Sequence, residues 1–258
     1  GTGSPILLIH DTLPGASGYE WSKIEDELAI DHTVYTVDLL GCGRSDKSSI
    51  TYTNFVYVQM ISDFIKKIIG QKTDVIASGF SGSFVTMACH NEKELFNKIM
   101  LVNPPSLTQL KQMPNRKDRL LKAALEIPIF GTLVYHMIVS RDNINNLFIE
   151  KMYYNPFHVD NQMADAYYEA AHKGGYYTRF LYSSLAAKYI NINICHALKA
   201  LDNSIYIVEG ETEPNGKAVT DDYCASNPAI EVSILKETKH LPHVEAPEAF
   251  LEQVKIFF

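Results

Sequence analysis

The sequence contains no run of basic residues and only four cysteines, and both shortages limit the kind of protein it encodes. Of its 258 residues, 30 are Asp or Glu and 23 are Lys or Arg, so the net charge is −7. This acidic balance argues against nucleic acid or an anionic membrane surface as the main partner. The cysteines are scattered and form no CxxC pair, which favours free thiols in a reducing, cytoplasmic compartment.

Long apolar runs are missing as well. The longest, residues 127–139, has 13 residues and includes His136, whereas a membrane-spanning helix needs about 20 residues. The chain opens on Gly1 and soon reaches a strand-like run, so no signal peptide is visible, and a targeting segment upstream of Gly1 is left open. Repeats and linkers are absent, and the length fits one α/β domain or such a core with an insertion.

The sequence does contain an alternation of short β-rich runs and helical patterns. Residues 106–194 interrupt it with helical patterns alone and hold nine of the 15 tyrosines. This order predicts a mostly parallel, doubly wound α/β sheet formed by residues 1–105 and 195–258, with a helical cap, 106–194, over the carboxyl ends of the strands. The predicted strands are 6–10, 33–38, 74–77, 98–102, 205–208 and 231–235.

A turn rich in small residues follows the third predicted strand. Gly79-Phe80-Ser81-Gly82-Ser83 joins a buried strand to a helix, which is the setting of a nucleophile elbow. Such a turn needs small residues two positions before and two after its nucleophile, and among the serines of this segment only Ser81 satisfies that condition. The alternative is a structural Gly/Ser turn, because G-x-S-x-S is a looser pattern than G-x-S-x-G.

Two later loops offer partners for a serine. A serine nucleophile needs a base, most often histidine, and that base needs a carboxylate to orient it. Residues 209–214 (EGETEP) follow the fifth predicted strand, and residues 239–247 (KHLPHVEAP) follow the sixth. The resulting order along the chain is serine, acid, histidine. Taken singly, each loop is typical of a solvated surface.

In five segments the sequence resembles the α/β-hydrolase family: PILLIHDTLPG (5–15), YTVDLLGCGRSD (35–46), GFSGS (79–83), VEGETEP (208–214) and KHLPHVEAPEAF (239–250). The resemblance covers nearly the whole chain outside the cap, and the five motifs occur in the family's order. The roles that it implies are Ser81 as nucleophile, Glu213 as acid with Glu211 as runner-up, His240 as base, His243 as a second histidine that is not the base, and the backbone amides of Thr12 and Gly82 as the oxyanion hole.

Three positions depart from the family pattern. Asp11, Ser83 and Lys239 stand where the family usually has glycine. Asp11 matters most, because an ionised carboxylate beside a developing oxyanion would oppose it. We therefore predict that the Asp11 side chain turns away from Ser81 and braces its own loop through Thr12 and Leu13.

The resemblance implies a serine hydrolase that cleaves small to medium hydrophobic carboxylic esters through an acyl-enzyme, without a cofactor or a metal ion. Two alternatives stay open: a carbon–carbon bond hydrolase, for which PGASG (14–18) is a weak signal, and a non-catalytic ligand-binding protein on the hydrolase fold. Dehalogenase and epoxide hydrolase chemistry is disfavoured, because those relatives have Asp where this chain has Ser81. The cap tyrosines are interpreted either as pocket lining or as the cap's own core, and the oligomeric state is left open.

Overall fold

Six parallel strands form one sheet in the computed structural model, which describes residues 1–258. The strand order is β2-β1-β3-β4-β5-β6, so the chain reverses its direction of winding between β1 and β3. The predicted fold class is confirmed, and each predicted strand lies within two residues of an observed one. The strands are β1 (Ser4–Ile9), β2 (His32–Val37), β3 (Thr73–Ser78), β4 (Phe96–Val102), β5 (Ile205–Gly210) and β6 (Glu231–Leu235).

Helices cover both faces of this sheet. Alternate side chains of β1 point to opposite faces: Ile6 and Leu8 belong to one apolar cluster, and Leu7 and Ile9 belong to another. This explains why nearly every residue of β1, β3 and β5 is buried. The helices are α1 (Glu25–Asp31), α2 (Asn54–Phe64), α3 (Ser81–Asn91), α4 (Leu107–Leu110), α5 (Arg116–Glu126), α6 (Pro128–Ile138), α7 (Arg141–Leu147), α8 (Asn161–His172), α9 (Arg179–Ala186), α10 (Cys195–Ala200), α11 (Gly216–Ser226), α12 (Pro242–Glu245) and α13 (Pro247–Phe257).

The segment between β4 and β5 is entirely helical and has an apolar core of its own. Its buried tyrosines, Tyr135, Tyr153 and Tyr167, pack in this core together with Phe148. The same cluster includes Leu241, which follows β6, so the cap and the β6–α12 loop share one apolar contact. Of the two interpretations of the tyrosines, the structure supports the cap's own core for these three.

None of the helices alone has the length and the apolar composition that crossing a membrane requires. Helices α5 and α6 satisfy those two conditions only when taken together, and they meet at a bend of 95°.

Candidate active site

The turn between β3 and α3 has its apex at Gly79. Gly79 has a φ of +55°, which glycine adopts without strain, whereas Ser81 is the first residue of α3. The rule that small residues flank the apex by two positions is met by Ala77 and Ser81 around Gly79. The prediction that Ser81 occupies the apex is therefore wrong in its register by two residues. The segment carries small residues at 77, 79, 81 and 83, so the sequence rule fits both positions.

Ser81 lies beneath this turn and has no exposed surface. Its Oγ donates to the backbone carbonyl of His10 at 2.5 Å and lies 3.3 Å from Thr12 Oγ1. No hydrogen bond joins Ser81 to His240, and Ser81 does not line the neighbouring cavity. The predicted hydrogen bond between Ser81 and His240 is therefore absent from the structure.

The Asp11 carboxylate occupies the space above the glycine apex. A Cβ atom added to Gly79 would come within 2.2 Å of Asp11 Cγ. Asp11 Oδ1 accepts hydrogen bonds from the backbone amides of Thr12, at 2.6 Å, and Phe80, at 2.8 Å. The predicted hydrogen bond to Thr12 is present. The side chain makes no bond to Leu13, however, and it points toward the turn between β3 and α3 rather than away from it.

Of the two amides predicted for the oxyanion hole, the structure brings only that of Thr12 to the Asp11 carboxylate. The amide of Thr12 does point to a common centre, but its companion there is Phe80. The amide of Gly82 donates to the Gly79 carbonyl at 3.2 Å, inside the turn. Phe80 replaces Gly82 here because the second amide comes from the residue that follows the apex of the turn, and the apex is Gly79. Asp11 Oδ1 now fills the position between the two donors.

His240 lies between two carboxylates. Its Nδ1 is 3.2 Å from Glu213 Oε1, and its Nε2 is 3.5 Å from Asp11 Oδ2. Glu211, the runner-up, instead accepts from the backbone amide of Glu237. Burial acts to lower the pKa of His240, but hydrogen bonds and charge from Asp11 and Glu213 outweigh it and raise the pKa to about 10. The resting imidazole is therefore protonated at neutral pH.

Asn103, at the end of β4, holds the histidine loop in place and was not found by reasoning from the sequence. Its Nδ2 donates to the carbonyls of Lys239 and His240, at 2.8 and 2.9 Å, and its Oδ1 accepts from Gly210 at 2.9 Å. Its φ of 43° is left-handed, a conformation that asparagine tolerates better than most residues. An asparagine just after a buried strand was the only available signal.

His243, which the resemblance implied is a second histidine but not the base, lies in the core rather than in the site. It is fully buried, stacks on Trp21 with 4.3 Å between ring centroids, and has Nε2 3.2 Å from Glu20 Oε1. Burial raises the pKa of Glu20, but the hydrogen bond and charge of His243 outweigh burial and hold it below its usual value. Glu20 Oε2 accepts from the Asp11 amide at 3.4 Å, so this pair supports the Asp11 loop from below.

A cavity of about 520 Å³ opens above these groups, between the sheet and the cap. Asp11, Phe80 and His240 form part of its wall on the core side, and Leu147 and Met152 form part of it on the cap side. None of its 21 lining residues is a tyrosine, so the cap tyrosines do not line this cavity. Its volume suits a small molecule.

Comparisons with known proteins agree with this architecture. Over 109 residues the chain is 29% identical to a 2-hydroxy-6-oxo-6-(2'-aminophenyl)hexa-2,4-dienoic acid hydrolase of Metapseudomonas resinovorans, covering 42% of this chain and 38% of that one. Over 103 residues it is 24% identical to a soluble epoxide hydrolase of a Corynebacterium species, covering 40% and 35%. The chain thus matches only about a third of the length of these curated relatives.

Two solved structures share the fold over the whole chain. An epoxide hydrolase superposes with a TM-score of 0.80 at 17% identity, covering 100% of this chain and 92% of the other. A serine hydrolase involved in carbazole degradation superposes with a TM-score of 0.79 at 18% identity, covering 100% and 91%. The sequence model of the alpha/beta hydrolase family matches residues 6–253, which is nearly the entire chain. The protein therefore belongs to the alpha/beta hydrolase family.

Proposed function

We propose that this protein hydrolyses a small electrophilic molecule with Asp11 as covalent nucleophile, His240 as general base and Glu213 as the carboxylate that orients the base. The observation that carries the proposal is the placement of the Asp11 carboxylate. One of its oxygens lies on two backbone amides, and the other faces the imidazole across 3.5 Å. These are the surroundings that a carboxylate nucleophile needs before and after attack.

The serine esterase predicted from the sequence has less support. A tetrahedral oxyanion would need the amides of Thr12 and Phe80, and the Asp11 carboxylate already uses both. At about 5 Å and an effective dielectric near 20, that carboxylate would oppose the oxyanion by roughly 3 kcal/mol. His240 is also protonated at neutral pH, so it cannot accept the proton of a serine hydroxyl in the resting state. Ester hydrolysis through Ser81 stays a prediction from the sequence.

The first step of the proposed reaction is attack by Asp11 Oδ2 on a saturated carbon of an epoxide. A carboxylate is already ionised, so the attack needs no base. The C–O bond of the ring breaks, an ester forms between Asp11 and the substrate carbon, and the ring oxygen takes up a proton. Lys151 lines the cavity from the cap, and its ammonium group supplies that proton, while the side-chain amide of Gln109 can hydrogen-bond the ring oxygen. The sequence disfavoured epoxide hydrolysis because the turn after β3 carries no Asp, but Asp11 brings a carboxylate to this turn from the facing loop. Epoxides are then favoured because two of the similar proteins are named as epoxide hydrolases.

The second step is hydrolysis of the Asp11 ester. Ester formation removes one of the two negative charges that raise the pKa of His240, so the imidazole releases its proton to solvent water and becomes a base. Neutral His240 then takes a proton from water, and the hydroxide attacks Asp11 Cγ. The resulting oxyanion forms on Oδ1, where the amides of Thr12 and Phe80 stabilise it. Collapse releases the diol and restores the carboxylate.

A single turnover in ¹⁸O-labelled water tests this proposal, with styrene oxide as substrate and excess enzyme. Water oxygen should enter the Asp11 carboxylate, and the peptide ending at Lys23 should gain the mass of one ¹⁸O exchange. His240→Gln should accumulate the substrate ester on Asp11, because no base remains to hydrolyse it. Asp11→Asn should lose roughly three powers of ten in turnover, as loss of a nucleophile does.

The parent protein and these variants also distinguish the alternative functions. A fluorophosphonate or p-nitrophenyl butyrate adduct on Ser81 would make the protein a serine hydrolase and end the Asp11 proposal. Saturable binding of small molecules without turnover of epoxides or esters would make it a ligand-binding protein.

A further inference from the structure

The cap presents an apolar face that is covered by no other part of the chain. On α6, Ile129, Leu133 and Met137 follow one another at intervals of four residues and are 78%, 66% and 63% exposed. Residues at this spacing lie on one side of a helix. The opposite side of α6 is buried through Gly131 and Tyr135, so the helix is apolar on both sides. A surface helix in water ordinarily carries polar residues on its outer side.

This face continues across the bend into α5. Leu120 is 72% exposed, Leu121 is 44% exposed, and Ile127, at the junction of the two helices, is 51% exposed. Tyr176 is also exposed, and Arg179 bonds both its carbonyl and the Thr132 hydroxyl of α6. A contiguous exposed apolar patch usually marks a surface that binds another protein, a membrane or a ligand. We call it the α5–α6 face; its exposed apolar side chains are Leu120, Leu121, Ile127, Ile129, Phe130, Leu133 and Met137.

Basic side chains that make no ion pair border the α5–α6 face. Arg116, Lys117 and Arg119 lie exposed on the first turn of α5, and none of them makes an ion pair. The nearby carboxylates are already neutralised, since Asp118 pairs with Lys188 and Glu126 pairs with Lys122. A locally positive rim thus stands on a chain whose net charge is −7.

We propose that the α5–α6 face docks onto an anionic lipid surface, with α6 lying in the plane of the interface. An apolar helix face inserts among acyl chains, and neighbouring Lys and Arg side chains attract anionic headgroups. Docking between two copies of the chain is disfavoured, because a two-fold interface would bring both sets of unpaired cations together without acidic partners. The inference is independent of the reaction at Asp11.

Co-sedimentation of the purified chain with lipid vesicles tests this proposal. The protein should bind vesicles of phosphatidylglycerol and phosphatidylcholine and should bind pure phosphatidylcholine weakly, and high salt should reduce the binding. The double variant Ile129→Glu and Leu133→Glu should abolish binding. Both positions are exposed, so the fold should tolerate the change. Changing Arg116, Lys117 and Arg119 to Glu should weaken binding by more than about a hundredfold, since removal of each of the three cations alone costs about fivefold and each Glu adds repulsion.

Matched variants elsewhere on the surface provide the control. Ile256→Glu places the same charge on an apolar position that is 72% exposed on α13, and Lys199→Glu with Lys236→Glu reverses exposed cations outside the cap. These should bind vesicles like the parent. Equal loss in the controls, or no vesicle binding by the parent, would overturn the proposal. A parent that ignores vesicles but forms a dimer that Ile129→Glu and Leu133→Glu dissociates would assign the face to a second copy.

Discussion

Asp11 is a carboxylate in a position where the α/β-hydrolase motif usually has glycine, and its neighbours explain how it is accommodated. The apex of the facing turn is itself a glycine, so no side chain competes for the space. Two amides and a protonated imidazole surround the carboxylate and compensate for its burial. Asp11 and Gly79 therefore depend on each other, because a side chain at position 79 would occupy the space of the Asp11 carboxylate.

Ser81 has a packing role in this arrangement, which leads to the first prediction. Ser81→Ala should preserve turnover and lower the free energy of unfolding by about 1 kcal/mol, because it removes the buried bond to the His10 carbonyl and the longer contact with Thr12 Oγ1. Turnover assays and urea unfolding measure the two effects. Ser83→Ala is the matched control, since Ser83 is equally buried and donates to the Phe80 carbonyl. A large loss of turnover in Ser81→Ala with unchanged stability would restore Ser81 as a candidate nucleophile.

At the scale of elements, the site is formed by loops that follow β1, β3, β5 and β6. The reversal of winding between β1 and β3 separates the helices that follow these two strands and leaves a crevice at their carboxyl ends. Asp11 follows β1 and Gly79 follows β3, so they face each other across that crevice. Glu213 and His240 reach it from the two strands at the other side of the sheet.

Exchange of side chains across this crevice should change the chemistry. Gly79→Ser alone should destabilise the protein by about 1–3 kcal/mol, because its Cβ overlaps the Asp11 carboxylate. Combined with Asp11→Gly, it should place a serine at the apex, free the two amides and create a serine that a fluorophosphonate probe labels. Mass spectrometry of the labelled peptide checks this expectation. If the double variant folds and labels no better than the parent, the apex is not a nucleophile position.

The loop that carries His240 depends on Asn103. Asn103→Ala should lower the free energy of unfolding by about 2 kcal/mol and lower kcat as well, since it removes three hydrogen bonds that position the loop. Asn203→Ala is the control: Asn203 bonds the carbonyls of Phe96 and Asn97 at the far end of the sheet. It should destabilise without changing kcat. Equal effects on kcat in the two variants would remove Asn103 as a positioning residue.

At the scale of the whole molecule, the charged site contributes to stability in a manner that depends on pH. The folded protein holds His240 with a pKa near 10, against about 6.5 when unfolded. The folded state therefore binds the extra proton between these values. The stabilisation is complete below about pH 6.5 and is lost as the pH rises toward 10. Unfolding by urea at a series of pH values should show this decline.

Asp11→Asn isolates the contribution of His240 from other groups that titrate in the same range. This variant removes one of the two carboxylates that raise the pKa of His240, so its free energy of unfolding should decline less between pH 7 and pH 10. Parallel curves for parent and variant would show that Asp11 does not control the protonation of His240.

The sequence alone determined the parts of this protein that depend on local pattern. Short β-rich runs that alternate with helical patterns indicate the strands, so all six strands were predicted within two residues. The sequence also indicated that one glutamate of the loop after β5 could face the histidine; the resemblance implied Glu213, and in the structure His240 Nδ1 lies 3.2 Å from Glu213 Oε1. These features follow from the general rules of parallel sheets, so they can be predicted without knowing individual side-chain contacts.

The tertiary structure decided the register of the turn and the position of Asp11. Small residues at 77, 79, 81 and 83 satisfy the packing rule for two different apices, and only the backbone, with φ of +55° at Gly79, distinguishes them. The direction of the Asp11 side chain depends on the amide of Phe80 as well as that of its neighbour Thr12, so no local pattern contains it. The placement of this carboxylate over Gly79 is thus a consequence of contact between the loops that follow β1 and β3, which the folded chain alone brings together.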